Sequence, residues 1–429
     1  MKRRLMALLL ALALVFALGV SAVSADDDAA AETTAKAAET TDAAAAETAE
    51  EEEPAAQSDA EGTLSFANLR GRMLESYYPL LALGENIRTL EEWDYKRTED
   101  ELRDELNENA NKQWYYMTDP SMALTGALVI PQLQAQYDAY REAFDAVRDG
   151  KLQKDNEGVK RQLRSLQDQT VIVAESLYIT YKGLEAQDAA LSRTLAALSR
   201  TEKEMSLRQE LGQISALTVQ QVSAGRVQAE SGQKTLRMNM DNILLQLKAM
   251  AGVELDAGLT LSALPTVTTR QLADMDLEAD LAKAQEASYE LYDAKKAYDD
   301  AKEAYDDAVK EYGVYSKKNE WMQAKHTWQA AQYTYENAKQ SYELKFRTLY
   351  AQVKDCAQKL DAAKSALTLE ERNYAASALQ CRQGTISKNA LADAADTLAD
   401  AKDAASSAER DLFSAYRSYC WAVEYGILN

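Results

Sequence analysis

Proline is scarce in this chain, and its distribution limits the folds that the chain can adopt. The 429 residues contain 5 prolines, at positions 54, 79, 120, 131 and 265, so residues 132–264 and 266–429 contain none. Sheet-rich folds need frequent turns built on proline and glycine, and the chain has only 16 glycines. Alanine, leucine, glutamate, lysine and glutamine dominate, which is typical of helices. The sequence therefore predicts an all-α fold of few and long helices.

The N-terminal residues have the pattern of an export signal. Residues 2–4 are basic, residues 5–20 form an apolar run, and residues 23–25 form a small-residue cleavage site. An uncleaved membrane anchor is the alternative, although 16 apolar residues are few for a span. We expect residues 1–25 to be removed as a signal peptide, leaving a mature chain without a transmembrane helix.

The acidic charge is divided between two parts of the chain. Residues 26–61 form a low-complexity segment with 13 acidic residues and one lysine, and are predicted to be a disordered acidic leader. Residues 62–429 hold 56 acidic and 44 basic residues, out of a formal net charge of −21 for the whole chain. This balance argues against nucleic-acid binding, which requires a basic surface.

The residue types that support catalysis are poorly represented. His326 is the only histidine, and Cys356, Cys381 and Cys420 show no metal-binding spacing. No catalytic, cofactor-binding or metal site is predicted, and we do not expect an enzyme. A wall-directed enzyme using carboxylates such as Asp299 and Asp300 is the alternative, but a solvated helix face explains such pairs. We expect His326 on a solvated face and three free thiols.

An internal repeat with an offset of 172 residues is the strongest organisational signal. The sequence reads Gly-Gln-Ile-Ser from Gly212 and Gly-Thr-Ile-Ser from Gly384. Glycine can take the left-handed conformation that ends one helix, and the serine can cap the next. The pattern predicts two helical-hairpin repeats, residues 62–265 and 266–429, each turning at a Gly-x-Ile-Ser sequence.

Heptad spacing is explicit in the second half of the chain. Tyr298, Tyr305 and Tyr312 recur every seven residues, which is typical of an antiparallel coiled coil. Such an aromatic stripe could bind glycans or line a duct, but core packing is the better interpretation. A second series continues it at Trp321, Trp328, Tyr335, Tyr342 and Leu349.

The duplicated turns and their flanking segments resemble the TolC outer-membrane efflux family. The resemblance rests on the two Gly-x-Ile-Ser turns, on Leu247-Lys-Ala-Met-Ala-Gly252 and on the opening Thr63-Leu-Ser-Phe-Ala-Asn-Leu with Ser76-Tyr-Tyr-Pro79. It covers residues 63–429. In that family three chains assemble a hollow α-barrel and supply strands to a β-barrel in the outer membrane. The turns of the family face the cell and dock onto a periplasmic adaptor protein.

The resemblance implies a role for the two turns and a set of partners. The chain would form a homotrimer and work with a periplasmic adaptor (membrane fusion) protein and an inner-membrane pump, without a cofactor. An exposed isoleucine in each turn would offer the adaptor a small apolar knob. The alternative is that each isoleucine only caps its own hairpin. The predicted adaptor-facing residues are Gly212, Ile214, Ser215, Gly384, Ile386 and Ser387.

The sequence departs from the family where membrane strands are needed. A membrane strand needs about ten residues of alternating hydrophobicity. Only residues 114–131 offer such material in the first repeat, and residues 312–321 of the second are short and contain Lys317 and Lys318. We therefore expect the β-barrel to be reduced or missing. The predicted fold is a TolC-like α-barrel protomer of long antiparallel coiled-coil hairpins with little or no β-structure.

These features predict an exported, passive component of an efflux or secretion system, either a duct or an adaptor-docking helical protein. The alternative is a structural coiled-coil protein of the cell envelope with no conducting pore. The expected location is the periplasm or the outer membrane, or the extracellular face if the host lacks an outer membrane.

Overall fold

A computed structural model describes residues 59–60 and 62–428. The predicted signal peptide lies outside these residues, as does the acidic leader apart from residues 59 and 60. Among the described residues, no helix is both long enough and apolar enough to cross a membrane.

The described residues are almost entirely helical, as predicted. The two strands are two residues long and pair in parallel, with Thr63 opposite Thr260 and Leu64 opposite Leu261. The first half of the chain contains β1 (Thr63–Leu64), α1 (Phe66–Ser76), α2 (Tyr78–Glu91), α3 (Tyr95–Thr118), a 3-10 turn (Pro120–Met122), α4 (Ala123–Arg148), α5 (Lys151–Glu210) and α6 (Ala216–Met250). The second half contains β2 (Thr260–Leu261), α7 (Thr269–Ala273), α8 (Leu277–Ala287), α9 (Tyr289–Tyr312), α10 (Asn319–Arg382) and α11 (Lys388–Tyr425).

Two very long helices form the frame. Helix α5 has 60 residues and α10 has 64, so each is about 90 Å or more in length at 1.5 Å per residue. Each pairs with the helix that follows its Gly-x-Ile-Ser turn, α5 with α6 and α10 with α11. Of the residues that could have supplied membrane strands, 114–118 and 123–131 are helical, and 313–318 form the connection between α9 and α10. The all-α fold with little β-structure is thus confirmed.

The aromatic heptads pack inside the α9–α10 hairpin. The ring of Tyr305 stacks on that of Trp328, with centroids 5.0 Å apart, and Tyr298 stacks on Tyr335 at 6.0 Å. Tyr305 also contacts Trp321. The interpretation of this stripe as core packing is therefore confirmed.

A buried tyrosine hydroxyl anchors each half of the molecule to its long helix. The Tyr178 hydroxyl on α5 lies within hydrogen-bond distance of the Leu64 and Ser262 carbonyl oxygens, at 2.9 and 2.8 Å. In the second half, the Tyr342 hydroxyl on α10 donates to the Ala284 carbonyl at 2.9 Å. Burial raises the pKa of both phenols, so both remain protonated donors at any physiological pH.

Close contacts at two glycines follow the same pattern in both halves. Gly252, after α6, lies against Ser76 at the end of α1, and Gly426, after α11, lies against Ser288 between α8 and α9. Both glycines have positive φ, at 66° and 67°. Helices α6 and α11 are therefore each followed by a left-handed residue that must also be small, because Ser76 or Ser288 lies directly against it.

A buried ion pair joins the first half of the chain to the second. Arg417 on α11 donates two hydrogen bonds of 2.8 Å to the carboxylate of Glu175 on α5. The Trp421 indole donates a third to Glu175 at 2.7 Å, and Glu175 is buried. The Arg70 guanidinium lies over the Trp421 ring and pairs with Asp168 at 2.8 Å. We call Glu175, Arg417 and Trp421 the clasp.

The cysteines and the histidine lie where the sequence places them. Cys356, Cys381 and Cys420 are free, as the hairpin register predicts, and burial raises the pKa of Cys356 and Cys420. Cys356 lines the α10–α11 groove together with Asp411 and Ser414. His326 is on an exposed face of α10.

Alanine substitutions at the positive-φ glycines should separate strain from steric overlap. Gly212→Ala has open space around the new Cβ, so only the left-handed conformation is penalised, by about 1 kcal/mol. In Gly426→Ala the Cβ would overlap the Ser288 backbone and lie 2.6 Å from the Ala287 carbonyl carbon. We expect a loss of about 2–4 kcal/mol in the free energy of unfolding, measured by urea denaturation. Equal losses in the two variants would contradict the packing described here.

The clasp should contribute far more to stability than a surface ion pair does. Glu175→Ala leaves the partly buried Arg417 guanidinium and the Trp421 indole without their acceptor, and we expect a loss of about 2–4 kcal/mol. The control is Glu85→Ala, which removes an exposed i,i+3 pair with Arg88 and should leave the urea midpoint unchanged. A Glu175→Ala variant as stable as this control would show that the clasp does not hold the halves together.

Candidate docking site at the hairpin turns

The first Gly-x-Ile-Ser turn is a helix stop built from backbone hydrogen bonds. Gly212 has φ 72°, its amide donates to the Gln209 carbonyl at 2.9 Å, and the Gln213 amide donates to the Arg208 carbonyl at 2.8 Å. This pair of bonds is the Schellman arrangement that satisfies the last carbonyls of a helix. Ser215 then starts α6 by accepting a hydrogen bond from the Thr218 amide.

The second turn repeats this geometry. Gly384 has φ 74°, its amide donates to the Cys381 carbonyl at 3.0 Å, and the Thr385 amide donates to the Gln380 carbonyl at 3.0 Å. Ser387 caps α11 by accepting from the Ala390 amide at 3.1 Å. The predicted roles of glycine as helix stop and serine as helix cap are therefore confirmed in both turns.

The structure brings the two turns together at one end of the molecule. Helix α5 packs beside α11, with Arg200 paired to Asp396 and, closer to the turns, Asn389 donating to Glu204 at 3.3 Å. Farther from the turns, Arg193 pairs with Asp403. These polar contacts run along the α5–α11 seam. Polar pairs as well as packing therefore set the position of the two turns relative to each other along the helix axes.

The isoleucines are less accessible than the knob hypothesis requires. Ile214 and Ile386 are half-buried, whereas the glycine and the serine of each turn are exposed. This burial corrects the expectation of an exposed isoleucine in each turn.

Exposed leucines surround the turns and were missed in the sequence. Leu207 on α5 and Leu379 on α10 are each more than half exposed, and both lie five residues before the glycine of their turn. Leu211 and Leu217 add further exposed apolar surface to the first turn. The repeat itself pointed to these residues, since Leu207 and Leu379 are related by the 172-residue offset. A leucine in a helical segment is, however, usually interpreted as a core residue.

The chemistry available at the turns is that of a binding surface. Charged side chains there pair with each other, as Arg208 does with Glu204 and Arg226 with Glu202. Across the described residues, no group of three or more His, Cys, Asp and Glu side chains is placed to hold a metal ion. The surface offers exposed leucines with paired charges nearby on the same helices, which suits recognition of another protein.

The comparisons with known proteins identify the fold. No protein-family model matches the sequence, and no curated protein matches it. Among solved structures, the outer-membrane channel OprN superposes with a TM-score of 0.52 at 12% identity, over 85% of this chain and 90% of that chain. The similarity to CusC, described for transmembrane channel formation, has a TM-score of 0.46 at 14% identity, over 82% of this chain and 95% of that chain. A membrane protein from Pseudomonas aeruginosa gives 0.48 at 12% identity, over 82% and 90%.

The OprN superposition spans nearly all of the described helices and nearly all of the channel chain. The fold is therefore that of the TolC-like outer-membrane efflux proteins, and the resemblance inferred from the sequence is confirmed at the level of the fold.

Proposed function

We propose that this chain is a passive, exported component of an efflux or secretion system. In this proposal the Gly212 and Gly384 turns dock onto a periplasmic adaptor protein, and an inner-membrane pump supplies the energy. Several copies, most simply three, wall a duct with their long helices. The proposed location is the cell envelope, in the periplasm or at the outer membrane.

One observation carries the proposal: two turns of the same geometry lie side by side at one end of a TolC-like fold and expose leucines there. An adaptor that binds one turn would have a second turn of the same geometry beside it. Exposed apolar side chains at such a site stabilise binding when a partner covers them.

Exposed apolar residues along the long helices support assembly of several copies. Leu344 and Leu369 on α10 and Val227 and Met238 on α6 are exposed on helices that already pack against one neighbour. A single chain leaves these side chains in water, and neighbouring copies would bury them. This supports a side-by-side arrangement of chains in which the helices form a wall.

A structural coiled-coil protein of the envelope is the second candidate function. The helical conformation of residues 114–131 and the short connection after α9 favour it, because these places show no strand to line a pore. Export by intact cells distinguishes the candidates: loss of efflux or secretion in cells lacking the chain, restored by the intact chain, supports a duct, and unchanged export supports the structural role.

Photo-crosslinking at the turns tests the docking site. We expect a benzophenone amino acid at Leu207 or Leu379 to crosslink to an adaptor-type protein in intact cells, with the product identified by mass spectrometry. The control position is Leu255, which is comparably exposed but lies beyond the far end of α6 from the Gly212 turn. Adaptor crosslinks from Leu255 but from neither turn would refute the turns as the docking site.

Aspartate substitutions then separate the isoleucines from the leucines. With the photo-reactive residue moved to another exposed position of the same turns, Leu207→Asp combined with Leu379→Asp should abolish crosslinking to the adaptor. Charged side chains then replace the exposed apolar contact. Ile214→Asp with Ile386→Asp should do so as well and should also lower the urea midpoint, since both isoleucines are half-buried. Undiminished crosslinking in both double variants would exclude this surface.

The duct requires more than one copy. We expect sedimentation of the exported chain to show an oligomer, most simply a trimer, whose mass falls when Leu344→Asp and Leu369→Asp are combined. A chain that stays monomeric at every concentration, alone and with its adaptor, would contradict the duct.

A further inference from the structure

The end of the α3–α4 hairpin differs in composition from the rest of the molecule. Between Lys112 and Asp138 the only charged residue is Asp119, in a chain with 27% charged residues. We call residues 113–131 the apolar hairpin end. The hairpin joins α5 at Gly150, and the Gly212 turn lies at the other end of α5, about 90 Å away. The apolar hairpin end is therefore far from the docking site proposed above.

Large apolar side chains are exposed on both helices of this end. Trp114 and Met117 on α3 are 68% and 72% exposed, and Leu124 and Leu128 on α4 are 84% and 75% exposed. Leu124 and Leu128 are four residues apart and share a face of α4. Gly126, by contrast, is buried against the Tyr116 backbone and lets the two helices approach closely. The inner faces of the hairpin are packed, and its outer faces carry the apolar side chains.

The turn between the two helices satisfies its own polar groups. The Asp119 amide donates to the Tyr115 carbonyl at 3.1 Å, and the Met122 amide donates to the Asp119 carbonyl at 3.0 Å. The Asp119 carboxylate accepts from the Ser121 amide at 2.9 Å and from its hydroxyl at 2.6 Å, and the Thr118 hydroxyl donates to the Trp114 carbonyl at 2.8 Å. Backbone that enters a lipid environment must be satisfied internally in this way.

We propose that the apolar hairpin end is a lipid-contacting element that inserts shallowly into the surface of a bilayer. The element holds six residues of α3 and nine of α4, so it is about 9–14 Å long. That length is well short of the hydrocarbon core thickness of about 30 Å and suits an interfacial element, whose apolar face is buried by about 5–10 Å. Tryptophan, tyrosine and leucine side chains on one element fit the composition of segments at a membrane interface.

Asp119 limits the depth of insertion. Its hydrogen bonds from Ser121 lower the pKa of the carboxyl group, so it remains charged at neutral pH. A charged carboxylate at the extremity of the hairpin resists transfer into hydrocarbon. The element therefore contacts the headgroup and upper acyl region, with Asp119 kept hydrated by headgroup water.

A lipid surface suits this end better than a second copy of the chain. The exposed side chains point away from the α3–α4 contact on both helices, whereas a protein partner would cover one side. The chain is also strongly acidic, so attraction to anionic lipid is not the driving force. We expect the contact to be apolar and therefore to persist on neutral lipid and at high salt.

Vesicle binding of the exported chain, purified after removal of its N-terminal apolar run, tests this inference. We expect co-sedimentation with neutral phosphatidylcholine vesicles and quenching of Trp114 fluorescence by brominated phosphatidylcholine, lost in Trp114→Phe. Leu124→Asp combined with Leu128→Asp should lower vesicle partitioning at least about tenfold, with unchanged helicity and urea midpoint, since both leucines are exposed.

The matched control is Val173→Asp combined with Leu255→Asp, two apolar side chains more than half exposed outside the apolar hairpin end, which should leave vesicle partitioning unchanged. Equal loss in both double variants, or no loss in either, would overturn the proposal. So would a hairpin variant that loses only self-association, which would assign this end to a second copy. Binding confined to anionic vesicles and reversed by salt would also overturn it. None of these results depends on adaptor docking, so either proposal can fail alone.

Discussion

A helix of 60 or more residues with one apolar stripe cannot bury that stripe by itself, and this limitation governs the structure. Helices α5 and α10 each need an antiparallel partner along their length, and a tight turn supplies one because it returns the chain at once along the same stripe. Gly212 and Gly384 make those turns possible by taking positive φ. The position of each turn sets the register of the two paired helices. That register determines which apolar residues face each other and form the core.

Turns alone would leave two independent hairpins, and the clasp joins them. Glu175 is buried and bonded to both Arg417 and Trp421, so the two halves meet through groups that would be costly to leave unpaired. Beyond the clasp, the α5–α11 seam is held by exposed and partly exposed pairs such as Arg200–Asp396. Such pairs contribute little individually.

The sequence predicts what depends on local rules and misses what depends on distance. The turns and the aromatic heptads were predictable because glycine conformation, serine capping and seven-residue spacing act within a few residues. The clasp was not, since Glu175 and Arg417 are 242 residues apart and look like any other charged helix residues. The exposure of Leu207 and Leu379 was also missed, because heptad position alone does not distinguish a core leucine from one that awaits a partner.

The two ends of the first hairpin repeat expose apolar residues that differ in the number of charged side chains around them. Around Gly212 the exposed leucines are surrounded by paired charges such as Arg208 with Glu204, and such a mixed surface is suited to a protein partner with complementary polar groups. Around Asp119 the exposed residues have that carboxylate as the only charged group within the hairpin end, so a partner there gains little from charge complementarity. Since a water-exposed apolar end costs free energy unless it is covered, an apolar environment at that end accounts for its composition, and the long α5 helix keeps the two surfaces apart.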